Sequence, residues 1–192
     1  MLASILFHVP LLLLPIVELP SPTRDCLIER QRYHAVDDLA TAHFHTAVSQ
    51  YAALHRRLDR TMSPIWISSD PELRQMAADA LASAIRTARA HARQGEIFTP
   101  GVAAMFRYQI EKTLWENDEG PTYPVWEDEP GPALVVNGRI PWGVASTRRP
   151  FPWALPRLPE ELEYRLVTST LVLLDVRADL IVDILPDALP VP

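Results

Sequence analysis

The chain has 192 residues, a net charge of −6 and one cysteine. The length sets one domain of ordinary size as the expectation, the charge gives no bulk electrostatic reason for a nucleic-acid partner, and a single cysteine excludes an internal disulfide. Of the 18 basic residues only Lys112 is not an arginine, and the arginines are scattered, which points to composition rather than to an anion-binding cluster.

Met1 to Val17 is apolar except for Ser4, His8, Pro10 and Pro15, and Glu18 is the first charge. The run falls short of the ~20 apolar residues that cross a bilayer. Its two prolines would each delete a helical backbone hydrogen bond. Residues 1–23 therefore read as a secretory leader, with an uncleaved N-terminal anchor as the alternative and a buried element of a soluble protein as a third reading. No Lys or Arg precedes Arg24, and the best small-residue pair at a cleavage point is Ser21 and Thr23. Membrane contact is expected only through residues 1–17, and only if the leader stays attached. Cys26 follows closely and reads as incidental, with an intermolecular bridge as the other possibility.

Residues 24–35 form a polar lead-in, and residues 36–192 are expected to be one α+β domain: a helical part (36–116), a Pro-rich irregular segment (117–160) and a β meander (161–192). The first helix is predicted from about Val36 to Met62, with Ala40, Phe44, Ala47, Tyr51, Leu54, Leu58 and Met62 on one stripe. Ser63-Pro64 ends it. Ser69 and Glu72 have capping-box spacing ahead of a second helix, Pro71 to Gln94, with Pro71 in its first turn. Its packing face is expected at Leu73, Ala77, Ala80, Leu81, Ala84, Ala88 and Ala92, and Gly95 supplies the stop. Thr99 caps a third helix with Pro100 just inside and Val102, Phe106, Ile110 and Leu114 or Thr113 inward.

Nine of the 19 prolines fall between Pro121 and Pro159. A stretch of that length without periodicity tends to be functional or mobile. Within it, Ala133 to Val136 is a candidate short strand and Asn137-Gly138 a turn. Three strands close the chain: Leu162–Val167 with alternating burial, an apolar central strand Leu171–Val176, and Leu180–Leu185 with Asp183 on one face. Such a meander needs a helical layer over its apolar face, and the three upstream helices supply it.

Little in the chain nominates chemistry. His43 and His45 point to opposite sides of a helix, and His34, Asp38 and His45 form at best a row along it, so no metal site is expected. No metalloprotease, nucleophile-elbow, phosphate-loop or dinucleotide motif is present, and six glycines leave little room for a phosphate cradle. Glu160, Glu161 and Glu163 are carboxylates at a strand entrance, read as solvated, with acid–base work by a pair of them, one buried, as the other reading. Arg56, Arg57, Arg60, Arg86, Arg89 and Arg93 read as a solvated face near helix C-termini, with an anion or acidic-partner surface as the other reading. Trp115, Tyr123 and Trp126 lie in an acidic stretch that either binds a cationic or sugar ligand or docks on the basic helices. No catalytic residue is assigned, and no cofactor or metal is expected.

The segments Ala92-Arg93-Gln94-Gly95-Glu96-Ile97-Phe98-Thr99-Pro100, Leu158 to Arg165 and Leu173-Leu174-Asp175-Val176 through Leu189-Pro190 resemble a group of uncharacterised, apparently exported bacterial proteins. The resemblance covers about residues 36–190 and implies location and architecture, without an activity. The strand pair Tyr164–Val167 and Leu171–Val176, running into Leu180–Ile184, is similar to the terminal hairpin of small periplasmic nickel/cobalt-homeostasis proteins. No His-rich tract accompanies it here. Together these readings lead to an exported, cofactor-free α+β protein with three amphipathic helices packed on a small C-terminal antiparallel sheet. Its expected role is non-catalytic binding or structure in the cell envelope, with an unidentified protein or envelope ligand as partner. A hydrolase with a dispersed site and a periplasmic metal-homeostasis module are the alternatives.

Overall fold

The computed structural model describes residues 22–62, 69–116, 132–146 and 155–189, and for residues 22–36 and 115–116 it describes the backbone alone. The opening apolar run, Ser63-Pro64, Tyr123 and Trp126 lie outside these residues, and so do the side chains of Cys26, His34 and Trp115. The order of elements is α1 (Pro22–Asp59), α2 (Pro71–Ala88), α3 (Pro100–Glu116), β1 (Leu162–Val167), β2 (Thr170–Asp175) and β3 (Leu180–Leu185). The arrangement is α+β, with the three strands in one antiparallel sheet of order β1-β2-β3.

Helix α1 begins at Pro22, well upstream of the expected Val36, so the polar lead-in is helical backbone. Its buried stripe is Ala40, Phe44, Val48, Tyr51, Ala52 and His55. The predicted Ala47, Leu58 and Met62 are only partly buried, because the stripe is centred one position further round. Helix α2 starts as a proline-led helix should. The cap, however, is Asp70 rather than Ser69: its carboxylate accepts the Glu72 N–H at 2.8 Å, and Pro71 follows directly. The helix ends at Ala88, short of Gln94. At that point Asn137 Nδ2 donates to the Arg89 carbonyl at 2.9 Å, giving this helix-end acceptor an outside partner. The α2 packing face is also corrected. Leu81, Ala82 and Ile85 are buried, whereas Leu73, Ala80 and Ala88 are exposed. Helix α3 follows expectation, with Val102, Phe106, Ile110 and Leu114 inward and the Thr99 carbonyl accepting the Ala103 N–H at 2.7 Å.

Phe44 of α1 and Phe106 of α3 meet at a ring-centroid distance of 4.9 Å, and Phe98 joins Phe106 at 5.3 Å. Tyr164 brings β1 into this aromatic cluster at 5.9 Å from Phe106. The helices thus cover one face of the sheet, through Leu162, Leu171, Leu173, Val182 and Leu185. Burying such a face against helices is what gives a three-stranded sheet its stability.

The other face is not left to solvent. Val167, Val172, Leu174, Ile181 and Ile184 form a second core cluster, against which Leu134, Val136, Ile140 and Val144 pack. Part of the Pro-rich segment is therefore a structural layer. Its backbone also closes the outer edge of β3: Asn137 N–H donates to the Ile181 carbonyl, and Ile181 N–H to the Gly138 carbonyl, both at 2.8 Å. The expected turn at Asn137-Gly138 is present, whereas Ala133–Val136 is not a regular strand. Asn137 has φ of 65°, a left-handed value that Asn tolerates. Gly138 is required by close approach, since a Cβ there would lie 2.8 Å from the Val135 carbonyl oxygen. The Arg139 guanidinium pairs with Asp79 of α2 and holds that carboxyl below its ordinary range.

The meander matches the sequence reading closely. Leu162 pairs with Asp175 and Val167 with Thr170 across the first hairpin. A bulge interrupts the second ladder between Leu173 and Leu174, whose partners are Asp183 and Ile181. In the first hairpin Thr168 sits at φ of 52°, in the left-handed region that costs a residue bearing a Cβ about 1–2 kcal/mol. Thr168→Gly is expected to raise stability by about 1 kcal/mol, read as a higher melting temperature, because glycine occupies that region freely. An unchanged or lower melting temperature would contradict this.

Candidate functional site

Four polar side chains of the described residues are buried: His55, Glu161, Asp175 and Asp183. Three of them are carboxylates from the C-terminal sheet or its entrance. A buried carboxylate is costly unless every oxygen is satisfied, so their partners define the site.

Asp183 lies on β3 with 0% exposure. Its Oδ2 accepts the N–H groups of Ile97 and Phe98 at 2.7 and 2.8 Å, and its Oδ1 accepts those of Gly95 and Ile184 at 2.8 Å each. Gly95 adopts φ of 85°, which folds the 95–98 turn around the carboxylate. The turn runs directly into α3, so the anion also sits before the positive end of that helix. Beside it, the carbonyl of Val182 accepts two bonds from the Arg89 guanidinium, at 3.2 and 3.3 Å.

Asp175 ends β2 at the other end of α1. Its Oδ2 accepts the Tyr51 hydroxyl at 2.7 Å and the His55 ring through Nδ1 at 2.6 Å. Its Oδ1 accepts the N–H groups of Arg177 and Ala178 at 3.0 and 2.8 Å. Tyr51 and His55 are one helical turn apart, which places both over the same acceptor. Burial, reinforced by the Asp175 charge, pushes the Tyr51 phenol far above its ordinary range, against a smaller opposing pull from Arg89. The Arg89 guanidinium lies over the Tyr51 ring, 5.1 Å from its centroid. Two bidentate ion pairs flank the junction, Arg56 with Glu161 and Arg177 with Asp59, the latter at 2.6 and 2.8 Å.

The Tyr164 phenol is likewise pushed well above its ordinary range by burial, and it donates to the Pro156 carbonyl at 3.0 Å. A phenol whose folded pKa is raised lends stability that is complete below about pH 10 and is lost as pH rises toward the folded value. Alkaline titration of phenolate absorbance is thus expected to leave Tyr51 and Tyr164 un-ionised until the protein unfolds. Smooth ionisation of all five tyrosines in folded protein would contradict it.

The geometry revises several expectations. Glu161 is not a solvated strand-entrance carboxylate but is buried on Arg56, while Glu160 is exposed and Glu163 pairs with Arg165. These acids do not converge. Arg56, Arg86 and Arg89 are engaged within the protein, Arg86 donating to the Asn137 carbonyl at 2.9 Å. Arg57, Arg60 and Arg93 are exposed. His43, His45 and His91 are exposed as well, and no group of three or more potential metal ligands gathers among the described residues. His45 lines a shallow open groove on α1 with Thr46, Ser49, Gln50 and Ala53.

His55 is the residue that the sequence reading missed. It lies on the buried stripe next to Tyr51, and that register was the available signal. With the Asp175 carboxylate at 2.6 Å, its Nδ1 is the nitrogen turned toward the acid, and Nε2 is turned away from it. This is how an Asp orients a catalytic His. Here Nε2 is buried and has no hydrogen-bond partner among the described residues, so none of them is placed on it as a nucleophile. The pair as it stands fixes α1 to the β2–β3 turn.

Fold and site together define an α+β domain locked by interior carboxylates. No protein-family model, curated protein or solved structure matches the chain. No helix among the described residues is long and apolar enough to cross a membrane.

Proposed function

We propose that the protein is exported and works in the cell envelope by binding or bearing structure rather than by turnover. The observation that carries this reading is Trp142, whose side chain is fully exposed at 102% on a loop that is otherwise anchored. Ile140 and Val144 on either side of it pack into the second core cluster, so the indole is held outward on a fixed support. Aromatic side chains presented in this way are common binding anchors. Val135 of the same loop and Met76 of α2 are further exposed apolar residues. The leader-like start supports location in the envelope.

Trp142→Ala is expected to leave the melting temperature nearly unchanged, as surface substitutions do. The variant is expected to lose proteins or envelope material that co-purify with the wild type from the native host's envelope fraction. Identical co-purification by both forms would remove the basis for the reading. Location is tested by N-terminal sequencing of protein from the native host. Intact Met1 in a cytosolic fraction would overturn export.

The Asp175–His55 pair favours one second reading, a hydrolase in which His55 Nε2 becomes accessible. Turnover of ester or amide substrates that is abolished by His55→Gln, in protein that still folds, would establish it.

A further inference from the structure

One segment covers both the second face of the sheet and the outer edge of β3. Within residues 132–146 the burial alternates: Leu134 and Val136 pack on the sheet, whereas Ala133 and Val135 are exposed. That is the pattern of an extended chain lying on an apolar face. The segment then bonds the edge, the Asn137 N–H donating to the Ile181 carbonyl and the Ile181 N–H to the Gly138 carbonyl, at 2.8 Å each. Backbone pairing at an edge, with alternate side chains on a face, is how a sheet takes up an added strand. Here the chain's own strap fills that place.

The strap is held less firmly than the layer beneath it. Val167, Val172 and Ile181 under it are fully buried, but Leu134, Val136, Ile140 and Val144 are each only partly buried. Its other ties are polar. Arg86 donates to the Asn137 carbonyl and Asn137 Nδ2 to the Arg89 carbonyl, both at 2.9 Å. Arg139 pairs with Asp79 through side chains that are 34% and 53% exposed, where an ion pair contributes little. Two buried strap atoms, Asn137 Oδ1 and Arg139 Nε, make no hydrogen bond among the described residues, although Asp179 lies 3.3 Å from the latter. A buried polar atom without a partner opposes closure, and water would satisfy it on opening. Few buried apolar contacts and exposed polar ties mark the parts of a fold that open locally.

We propose that the strap opens as a unit, and that the face and edge beneath it form a binding site for an extended segment of a partner protein. The resident occupant defines the chemistry of that segment. It carries two apolar residues two positions apart, as Leu134 and Val136 are, and then offers an N–H and a carbonyl to Ile181. The strap is joined to the domain, so it competes with the partner at high effective concentration. The closed form is the resting state, and release of the strap regulates access to the site. The proposal stands apart from the envelope-binding reading, since it uses neither the exposed Trp142 nor the leader.

The test combines native-state amide exchange of the full chain with binding of a fluorescent synthetic peptide that has the sequence of residues 132–146. In the wild type the Asn137 and Ile181 amides are expected to exchange together, about tenfold or more faster than the amides of the central strand β2. Arg139→Gln is expected to speed both by about threefold or more and to leave the β2 amides unchanged, because it loosens the strap alone. The peptide is expected to bind the Arg139→Gln form about threefold or more tightly than the wild type, since the competing strap is weakened. A peptide with Leu134→Asp and Val136→Asp is expected not to bind either form. Should the variant fail to fold, exchange in the wild type decides. Asn137 and Ile181 amides as slow as those of β2, equal peptide binding by the two forms, binding of the Asp peptide, or no peptide binding would overturn the proposal. Dimerisation of the Arg139→Gln form in sedimentation equilibrium would overturn it too, by giving the site to the strap of a second copy.

Discussion

Asp183→Asn is expected to cost about 3–4 kcal/mol of folding stability. The substitution keeps the side-chain volume, so no cavity complicates the result. It turns one oxygen, acceptor of two backbone N–H groups, into an NH₂ that faces those donors. Whichever pair is affected, Gly95 with Ile184 or Ile97 with Phe98, loses its acceptor. Ile97 and Phe98 are buried, so their N–H groups have no water to turn to. Small domains are stable by about 5–15 kcal/mol, so a loss of this size brings the variant close to unfolding in mild conditions. Urea denaturation measures it, and hydrogen exchange localises it: the Ile97 and Phe98 amides are expected to exchange much faster in the variant. A loss below about 1 kcal/mol would show that the turn finds other acceptors and that the carboxylate is not its support.

The second large effect is expected at Asp175→Ala, at about 3 kcal/mol or more. Two backbone N–H groups, the Tyr51 hydroxyl and the His55 Nδ1 lose their common partner at once. Tyr51→Phe alone is expected to cost about 1–1.5 kcal/mol, since the carboxylate keeps its other donors. Tyr51→Phe and His55→Gln share one carboxylate oxygen, so their combined effect is expected to differ from the sum by about 0.5 kcal/mol or more. Strict additivity in that cycle would mean that the two side chains act independently and that Asp175 does not couple them.

The parts of the fold legible in the sequence were those governed by apolar spacing and turn chemistry. Val102, Phe106, Ile110 and Leu114 repeat without competition, so α3 read correctly. In α2, alanines line more than one side of the helix and give spacing little to discriminate. The packing face is instead set by where Ile85 sits and by Asp79 and Arg86 turning toward the 137–139 loop. The second covered face of the sheet was hidden because Leu134, Val136, Ile140 and Val144 are interleaved with prolines and turns rather than set in a run. The buried acids were the least legible. Asp183 was visible as a lone acid in an apolar strand, but its partners are backbone N–H groups nearly ninety residues earlier, which have no side-chain signature. Glu161 and Arg56 are similarly far apart in the chain, and charge alone placed both in solvent.

The position of these carboxylates along the chain also constrains how the protein is made. Glu161, Asp175 and Asp183, the acceptors that tie down Arg56 and Tyr51 of α1 and the 95–98 turn ahead of α3, all lie far C-terminal to the groups they bind. During synthesis the helices leave the ribosome with these donors unmet, and the aromatic cluster still lacks Tyr164. Closure must wait for contacts of long sequence separation, which are slow to form. A nascent chain that stops before β3 therefore presents an unlocked helical layer to chaperones and proteases. The helical layer is therefore locked only once β1 to β3 have been made, and not as the helices themselves emerge.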